Sequence, residues 1–204
     1  MLAGGTLRGV LRHPDPPLSD GVITLRAKGR EDVDAMTAAC QDPEIPRWTL
    51  VPAPYRRADA LSWIAATEVE LDAGLAVDWL AVDADDRLLA SIALMGIDRE
   101  QGTAEIGYWV AREARGRGVA TRAVRLVCAW AASELGLTTL ELVIHEDNAP
   151  SHRVARAAGF TLTGEYRPPR REGLHEGRYL VHQWRAGERQ QRLGRSEFDR
   201  RGSS

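Results

Sequence analysis

The stretch Glu105-Ile106-Gly107-Tyr108-Trp109-Val110-Ala111-Arg112-Glu113-Ala114-Arg115-Gly116-Arg117-Gly118-Val119-Ala120 changes character twice. Its first six residues form a β-rich, partly aromatic run. Arg115–Gly118 then alternates arginine with glycine. Beyond it, Ala120, Val124, Val127, Ala131 and Leu135 recur at helical spacing, and Gly136 stands where a glycine closes a helix. The pattern predicts a strand, a loop and a long helix in direct succession. The first N–H groups of a helix lack intrahelical acceptors and point outward. Together with the helix dipole they form an anion site. Gly116 and Gly118 let the backbone approach a phosphate, and Ala120 keeps the next turn small. Arg112, Arg115, Arg117, Arg122 and Arg125 face only Glu113 along this segment, a local excess that suits a diphosphate. The plain alternative is a glycine-rich turn before a surface helix with solvated arginines. The preceding strand, the following helix and the arginine density favour anion binding.

Downstream, Thr138–Ile144 reads as a strand parallel to the one before the helix. Ser151–Ala158 reads as a short helix ended by Gly159, and Phe160–Tyr166 and Tyr179–Trp184 as two last strands. Upstream, Val22–Lys28 alternates like a half-buried strand, and Arg30–Cys40 has helical character. Asp42–Tyr55 holds four prolines and reads as a loop. A helix is expected over Arg57–Asp72, with Leu61, Ile64, Ala65 and Glu68 on one face. Ala76–Asp83, Leu88–Gly96 and Thr103–Val110 then form an antiparallel meander. The expected architecture is α+β: one domain with a mixed, mostly antiparallel sheet, helices on both faces and a central β-loop-α-β crossover. Residues 1–20 are expected to be a partly irregular leader, 21–185 the domain, and 186–204 a charged, flexible tail.

Composition narrows the function classes. The chain has 204 residues, 44% apolar and 27% charged, the balance of a globular protein. Its net charge of −2 argues against nucleic-acid binding through a global basic field. The longest apolar run, Leu126–Ala132, is far short of the ~20 residues a membrane span needs. Met1–Asp15 shows no signal-type pattern. Cys40 and Cys128 are the only cysteines and lie in no metal-binding spacing. A cytoplasmic chain without a metal, a membrane or a nucleic acid as partner is expected.

Three segments carry a family resemblance: Ala104–Val110 (AEIGYWV), Arg115–Thr121 (RGRGVAT) and Glu146–Phe160 (EDNAPSHRVARAAGF). They resemble the GCN5-related N-acetyltransferase (GNAT) superfamily, whose pyrophosphate loop Arg/Gln-x-x-Gly-x-Gly/Ala is matched by Arg115, Gly118 and Ala120. Their wording, with Asp42-Pro43-Glu44 and Arg47-Trp48, is similar to the RimJ/RimL-like branch that acetylates ribosomal-protein N-termini. The resemblance covers roughly residues 20–185.

The resemblance implies acetyl-CoA as co-substrate, lying in a V-shaped gap between the Glu105–Val110 and Thr138–Ile144 strands. The pantetheine arm would pair with the backbone of Trp109 and Val110. The diphosphate would sit on the amides of Arg115, Gly116, Arg117, Gly118, Val119 and Ala120, with Thr121 adding a hydroxyl. A primary amine, from a protein N-terminus or a small molecule, would attack the thioester directly. Glu105 is the candidate base; its alternative is an exposed strand carboxylate paired to an arginine. Ser151 is the candidate contact to the sulfur and Asn148 to the pantetheine, with helix capping as their shared alternative. Arg47 and Trp48 are candidate acceptor-binding residues. Tyr108 reads first as core, Cys128 as a packed thiol and His145 as a solvated strand end with an alternative role as base. His152, His175 and His182 show no ligand spacing. Dimers are common in this branch, which raises a homodimer as an expectation. A non-catalytic acyl-CoA sensor and a transferase for another acyl group, such as succinyl, stand as alternatives.

Overall fold

The computed structural model of the chain describes residues 11–169 and 176–187. His175, part of the Arg167–Arg178 segment and the tail beyond residue 187 lie outside them. In chain order the elements are β1 (Leu18–Ser19), β2 (Thr24–Arg26), α1 (Val33–Ala39), α2 (Glu44–Trp48), α3 (Arg57–Asp72), β3 (Ala76–Val82), β4 (Leu88–Asp98), β5 (Thr103–Val110), α4 (Val119–Glu134), β6 (Thr139–His145), α5 (Ala149–Ala158), β7 (Thr161–Arg167) and β8 (Tyr179–Arg185). The strands form one sheet in the order β1-β2-β3-β4-β5-β6-β8-β7. Every neighbouring pair is antiparallel except β5 and β6. The expected α+β fold with a single parallel crossover is present, and the long helix falls where the sequence places it.

Strand alternation shows what covers each face. Trp79 of β3 meets Trp130 of α4 edge to face, with ring centroids 5.3 Å apart. Its neighbour Asp78 points the other way, to Lys28, whose ammonium lies 3.9 Å from the ring centroid of Trp63 in α3. Helices α4 and α5 therefore cover one face, and α1 and α3 the other. All seven residues of β3 are buried, as a strand covered on both sides requires.

Leu18 and Ser19 pair with Leu25 and Thr24, and Leu11 is buried in the core, so the described residues before 20 pack on the domain. Three local expectations are corrected. The proline-rich loop contains helix α2, because Pro43 is its N-cap and Pro46 falls in the first turn, where no intrahelical N–H is needed. Helix α3 has the expected span, yet it buries Ala60, Ile64 and Thr67 and leaves Leu61 exposed. Apolar residues surround this helix on several sides, so spacing alone could not choose the face. His145 is buried rather than solvated.

Asn148 caps α5 as expected, its side-chain oxygen accepting from Ser151 N at 3.2 Å. The helix is fixed to the sheet by two histidines. His152 Nε2 is 3.1 Å from the carbonyl oxygen of His145, so it carries a hydrogen and donates. His152 Nδ1 lies 2.9 Å from His182 Nε2 of β8, so the two rings share a hydrogen bond. Burial holds His182 down, to about 4, and His152 and Arg156 add to the effect.

Two predictions follow from this packing. Lys28 and Asp78 side chains are 2% and 5% exposed, with Nζ 2.8 Å from Oδ1. Removing one partner strands a buried charge, so Asp78→Ala is expected to cost ~3 kcal/mol in urea unfolding, while Lys28→Met with Asp78→Leu together costs far less. The unfolded His182 binds its proton near pH 6.5 and the folded one only near about 4. The unfolded state therefore gains protons first, and stability contributed by neutral His182 is lost as pH falls through this window. Thermal melts between these values are expected to show a shallower acid slope for His182→Gln than for the native chain; equal slopes count against a neutral His182.

Candidate functional site

The site begins where a ladder stops. Strands β5 and β6 pair only through Thr103–Thr139, Ala104–Leu140 and Glu105–Glu141. Beyond that point β5 continues to Val110 and β6 to His145 without pairing to each other. Each keeps its outer neighbour, β4 or β8. The gap is the V expected from the sequence, and Glu105 stands at its vertex.

Over the gap opens a cleft of about 470 Å³. Of the residues singled out from sequence, Trp109, Val110, Arg115, Gly116, Gly118, Val119, Ala120, Thr121, Asn148, Ser151 and Trp48 line it, whereas Glu105, the candidate base, does not. Arg117 is exposed beside the loop and is not in the lining. Arg47 also stands outside, over the Trp48 ring at 4.6 Å and paired to Glu44 at 3.2 Å. A larger hollow of about 640 Å³ lies beyond Asp42, between α1, the β3–β4 turn and Arg112; it includes none of the loop glycines, Asn148 or Ser151.

The loop's glycines are required by backbone conformation. Gly116 and Gly118 have φ of 72° and 77°, in the left-handed region that penalises a Cβ. A Cβ at either would meet nothing within 4 Å, so the face they present is open. Gly118 is also the N-cap of α4, which places the start of that helix at the cleft wall.

The arginines of the loop are more committed than their count suggests. Arg115 Nε donates to the Val110 carbonyl at 3.2 Å, and its Nη1 lies 2.7 Å from Asp42 Oδ2. Arg112 reaches Asp42 Oδ1 at 3.3 Å. Arg122 pairs with Asp20 at 2.6 Å, and Arg125 donates to the Ala157 carbonyl. Two acids distant in sequence thus offset a charge that looked concentrated. Burial pushes the Asp42 carboxyl up, but the Glu44 amide, Arg112 and Arg115 together hold it below the usual carboxylate range.

Glu105 lies on the opposite face of β5 from Tyr108. Its Oε2 is 3.5 Å from Arg167 Nη1, while Arg167 Nη2 makes a shorter contact with Glu141. Glu141 also accepts from Gln183 at 2.9 Å. The same face carries a row of rings toward α2. Trp48 lies 5.4 Å from His145, which lies 5.1 Å from Tyr179. His145 Nδ1 accepts from Asp147 N at 3.1 Å, leaving Nε2 to donate to the Glu176 carbonyl at 3.1 Å.

One residue of the cleft, Tyr108, and one behind it, Asp42, escaped the sequence reading. The Tyr108 hydroxyl lies 2.8 Å from Ser151 Oγ. Burial raises the phenol to about 12, and the bond with Ser151 partly offsets this. An aromatic in a strand carries no sign that its hydroxyl meets a helix more than forty residues on. Asp42 likewise stood only as part of a resembling tripeptide. Cys128 and Cys40 are buried, and burial raises both thiols to about 12, in keeping with packed apolar roles. Among the described residues there is no group of three His, Cys, Asp or Glu arranged to hold a metal, and no helix long and apolar enough to cross a membrane.

Residues 23–161 match the acetyltransferase (GNAT) domain family. An uncharacterized N-acetyltransferase, p20 of Bacillus licheniformis, is 27% identical over 146 residues, 70% of this chain and 80% of that protein. RimJ of Mycobacterium smegmatis, solved with CoA-disulfide, has a TM-score of 0.74 at 20% identity over 82% of this chain and 84% of its own. Spermidine N-acetyltransferase from Vibrio cholerae, solved with CoA and spermine, has a TM-score of 0.69 at 18% identity over 81% of this chain and 96% of its own. At these identities the two structures share a fold with this chain. The family match spans the parted strands, the glycine-arginine loop and α5, and with it the chain belongs to the GNAT acetyltransferases and is an N-acetyltransferase.

Proposed function

We propose that the chain transfers an acetyl group from acetyl-CoA to a primary amine within this cleft. The observation that carries the reading is the parting of β5 and β6 after Glu105 and Glu141, directly beside an open loop at a helix start. An extended pantetheine arm pairs, as an added strand would, with the gap-facing backbone of Tyr108 and the Val110 N–H; the Trp109 backbone is turned to β4, and Trp109 lines the cleft beside them. The diphosphate takes the amides between Arg115 and Ala120, with the α4 dipole behind them. Arg117 is the exposed cation beside it, and Thr121 adds a hydroxyl. Asn148 and Ser151 close the cleft near the thioester.

The chemistry needs a base, an oxyanion partner and a stabilised leaving group. Glu105, directly or through a water, takes a proton from the ammonium so that the amine nitrogen attacks the thioester carbon. A backbone N–H of the parted β5 receives the oxyanion. When the C–S bond breaks, its electron pair stays on sulfur, where the Ser151 hydroxyl donates a hydrogen bond, and the second proton shed by the amine nitrogen neutralises the thiolate to give free CoA. Tyr108, donating to Ser151, strengthens the donor it backs. Acceptors enter from the side of α2, past Trp48 and Arg47. A protein N-terminus and a small polyamine both present the required amine. The RimJ and spermidine acetyltransferase likenesses frame these two classes. The domain proper is taken as residues 21–185, in a cytoplasmic setting.

The test is CoA release from acetyl-CoA with a panel of N-terminal peptides and polyamines. Glu105→Gln is expected to lower kcat by ~100-fold or more, with CoA affinity unchanged. Ser151→Ala and Tyr108→Phe are expected to lower kcat by roughly tenfold, the size of one lost hydrogen bond. Native rates for both Glu105→Gln and Ser151→Ala would refute the site assignment. Tight CoA binding with no turnover on any amine would identify a non-catalytic binder. Mass spectrometry across acyl-CoA donors separates acetyl from succinyl transfer.

A further inference from the structure

Asp42 sits behind the cleft, between the Arg112 and Arg115 side chains and the first turn of α2. Its side chain is 5% exposed, an unusual place for a carboxylate. One side of it faces the donor loop: Arg115 at 2.7 Å on Oδ2 and Arg112 at 3.3 Å on Oδ1. The other side faces the acceptor helix. Asp42 Oδ1 accepts from the Glu44 amide at 3.1 Å, and its carbonyl accepts from the Ile45 amide at 3.0 Å. Both are orphan donors of the first turn of α2. That helix has five residues and begins and continues with prolines, so it has little stability of its own. Arg115 in turn grips the last residue of β5 through the Val110 carbonyl. A continuous chain of contacts therefore runs from the end of β5 through Arg115 and Asp42 to α2, which carries Arg47 and Trp48.

We propose that Asp42 is a positioning residue that builds the donor and acceptor sides of the cleft together, fixing the phosphate loop through Arg115 and seating α2 through the Glu44 and Ile45 amides. The proposal rests on the reading that the Arg115–Thr121 loop takes the cofactor diphosphate. Asp42 touches neither substrate. Arg115 is spent on holding the loop in shape, which leaves the amides and Arg117 to meet the anion. A buried carboxylate that must keep two guanidinium partners makes the two sides interdependent: loosening the loop removes the charge that keeps Asp42 in place to cap α2. The link is local and consists of direct contacts, not of a route across the molecule.

The test uses the full chain and six proteins: native, Asp42→Asn, Arg115→Met, the double variant, Glu44→Gln and Ala120→Glu. Asp42→Asn keeps an oxygen for the Glu44 amide and loses the ion pairs. Arg115→Met cuts the link from the other end and leaves Asp42 itself intact. Circular dichroism melts establish that each is folded before it is used. Calorimetry with CoA is expected to show about a tenfold weaker Kd for each single variant and no further loss in the double, the non-additivity of residues acting as one unit. Hydrogen exchange of the peptide spanning residues 43–49, without any ligand, is expected to speed up about tenfold in Arg115→Met, although Arg115 makes no hydrogen bond to α2. A steric or capping role confined to Asp42 would not move that readout, and Glu44→Gln, which removes the direct attraction between Glu44 and Arg115, is expected not to reproduce it. Unchanged exchange in Arg115→Met, or additive losses in the double variant, overturns the proposal. Ala120→Glu separates this from the underlying reading: it sets a carboxylate where the diphosphate docks and must abolish CoA binding. Normal CoA binding by Ala120→Glu would remove the loop reading, whereas its loss alongside unchanged α2 exchange in Arg115→Met would remove only the Asp42 link.

Discussion

The rest of the site depends on an unfinished ladder. Backbone N–H and C=O groups inside a sheet are obligatory partners, and leaving them without one is costly unless water or a ligand takes the place of the missing strand. Here the single parallel pair, β5 with β6, ends at Glu105 and Glu141 while both strands run on. Each is still held on its outer side, by β4 and β8, so neither can close the gap without breaking an existing ladder. The divergence is thus built into the sheet. It leaves a slot for an extended ligand and puts the Glu105 carboxylate at its vertex. The crossover that joins the two strands must start at the open end of β5, so the glycine-arginine loop and the start of α4 arrive at the mouth of the slot.

Charge shows the difference between sequence and space. Along the chain, the loop and first turns of α4 carry five arginines against Glu113. In the fold, Asp42 comes up beside Arg112 and Arg115, and Asp20 beside Arg122. Much of the apparent field is spent on joining the loop, α2 and the N-terminal segment into one body. What remains open toward the cleft is mainly a set of backbone amides and the α4 dipole, with Arg117 nearby. Amides fixed by left-handed glycines need no reorganisation when an anion arrives, and under the proposed function this is how a near-neutral protein would hold a highly charged ligand.

The crossover was legible because each of its parts has a local cause. Gly116 and Gly118 are read as a tight loop from their type, α4 from its 3.6-residue stripe, and the end of α5 from Gly159 in its left-handed C-cap. The loop, Asn148 and Ser151 then meet in one cleft. Helix α2 was hidden by Pro43 and Pro46, which look like breakers until they are seen to occupy a first turn. The buried face of α3 was misplaced because Leu61 and Ala60 are adjacent and only tertiary contact selects between them. Tyr108 and Asp42 were illegible for a deeper reason: each acts through a partner distant in sequence, Ser151 in one case and Arg115 in the other. Pairing of that kind belongs to topology, not to spacing. The His152–His182 bond that fixes α5 is of the same sort.

The central claim is that CoA occupies the gap between the parted strands and completes their backbone bonding. Amide-resolved hydrogen exchange of the native chain, with and without CoA, tests it most directly. The account predicts that CoA protects the gap-facing amides of Tyr108 and Val110 on β5 and those between Gly116 and Thr121 in the loop, while those of β3 and β4 keep their rates. CoA binding with the β5 and loop amides exchanging as fast as in the free protein would contradict it.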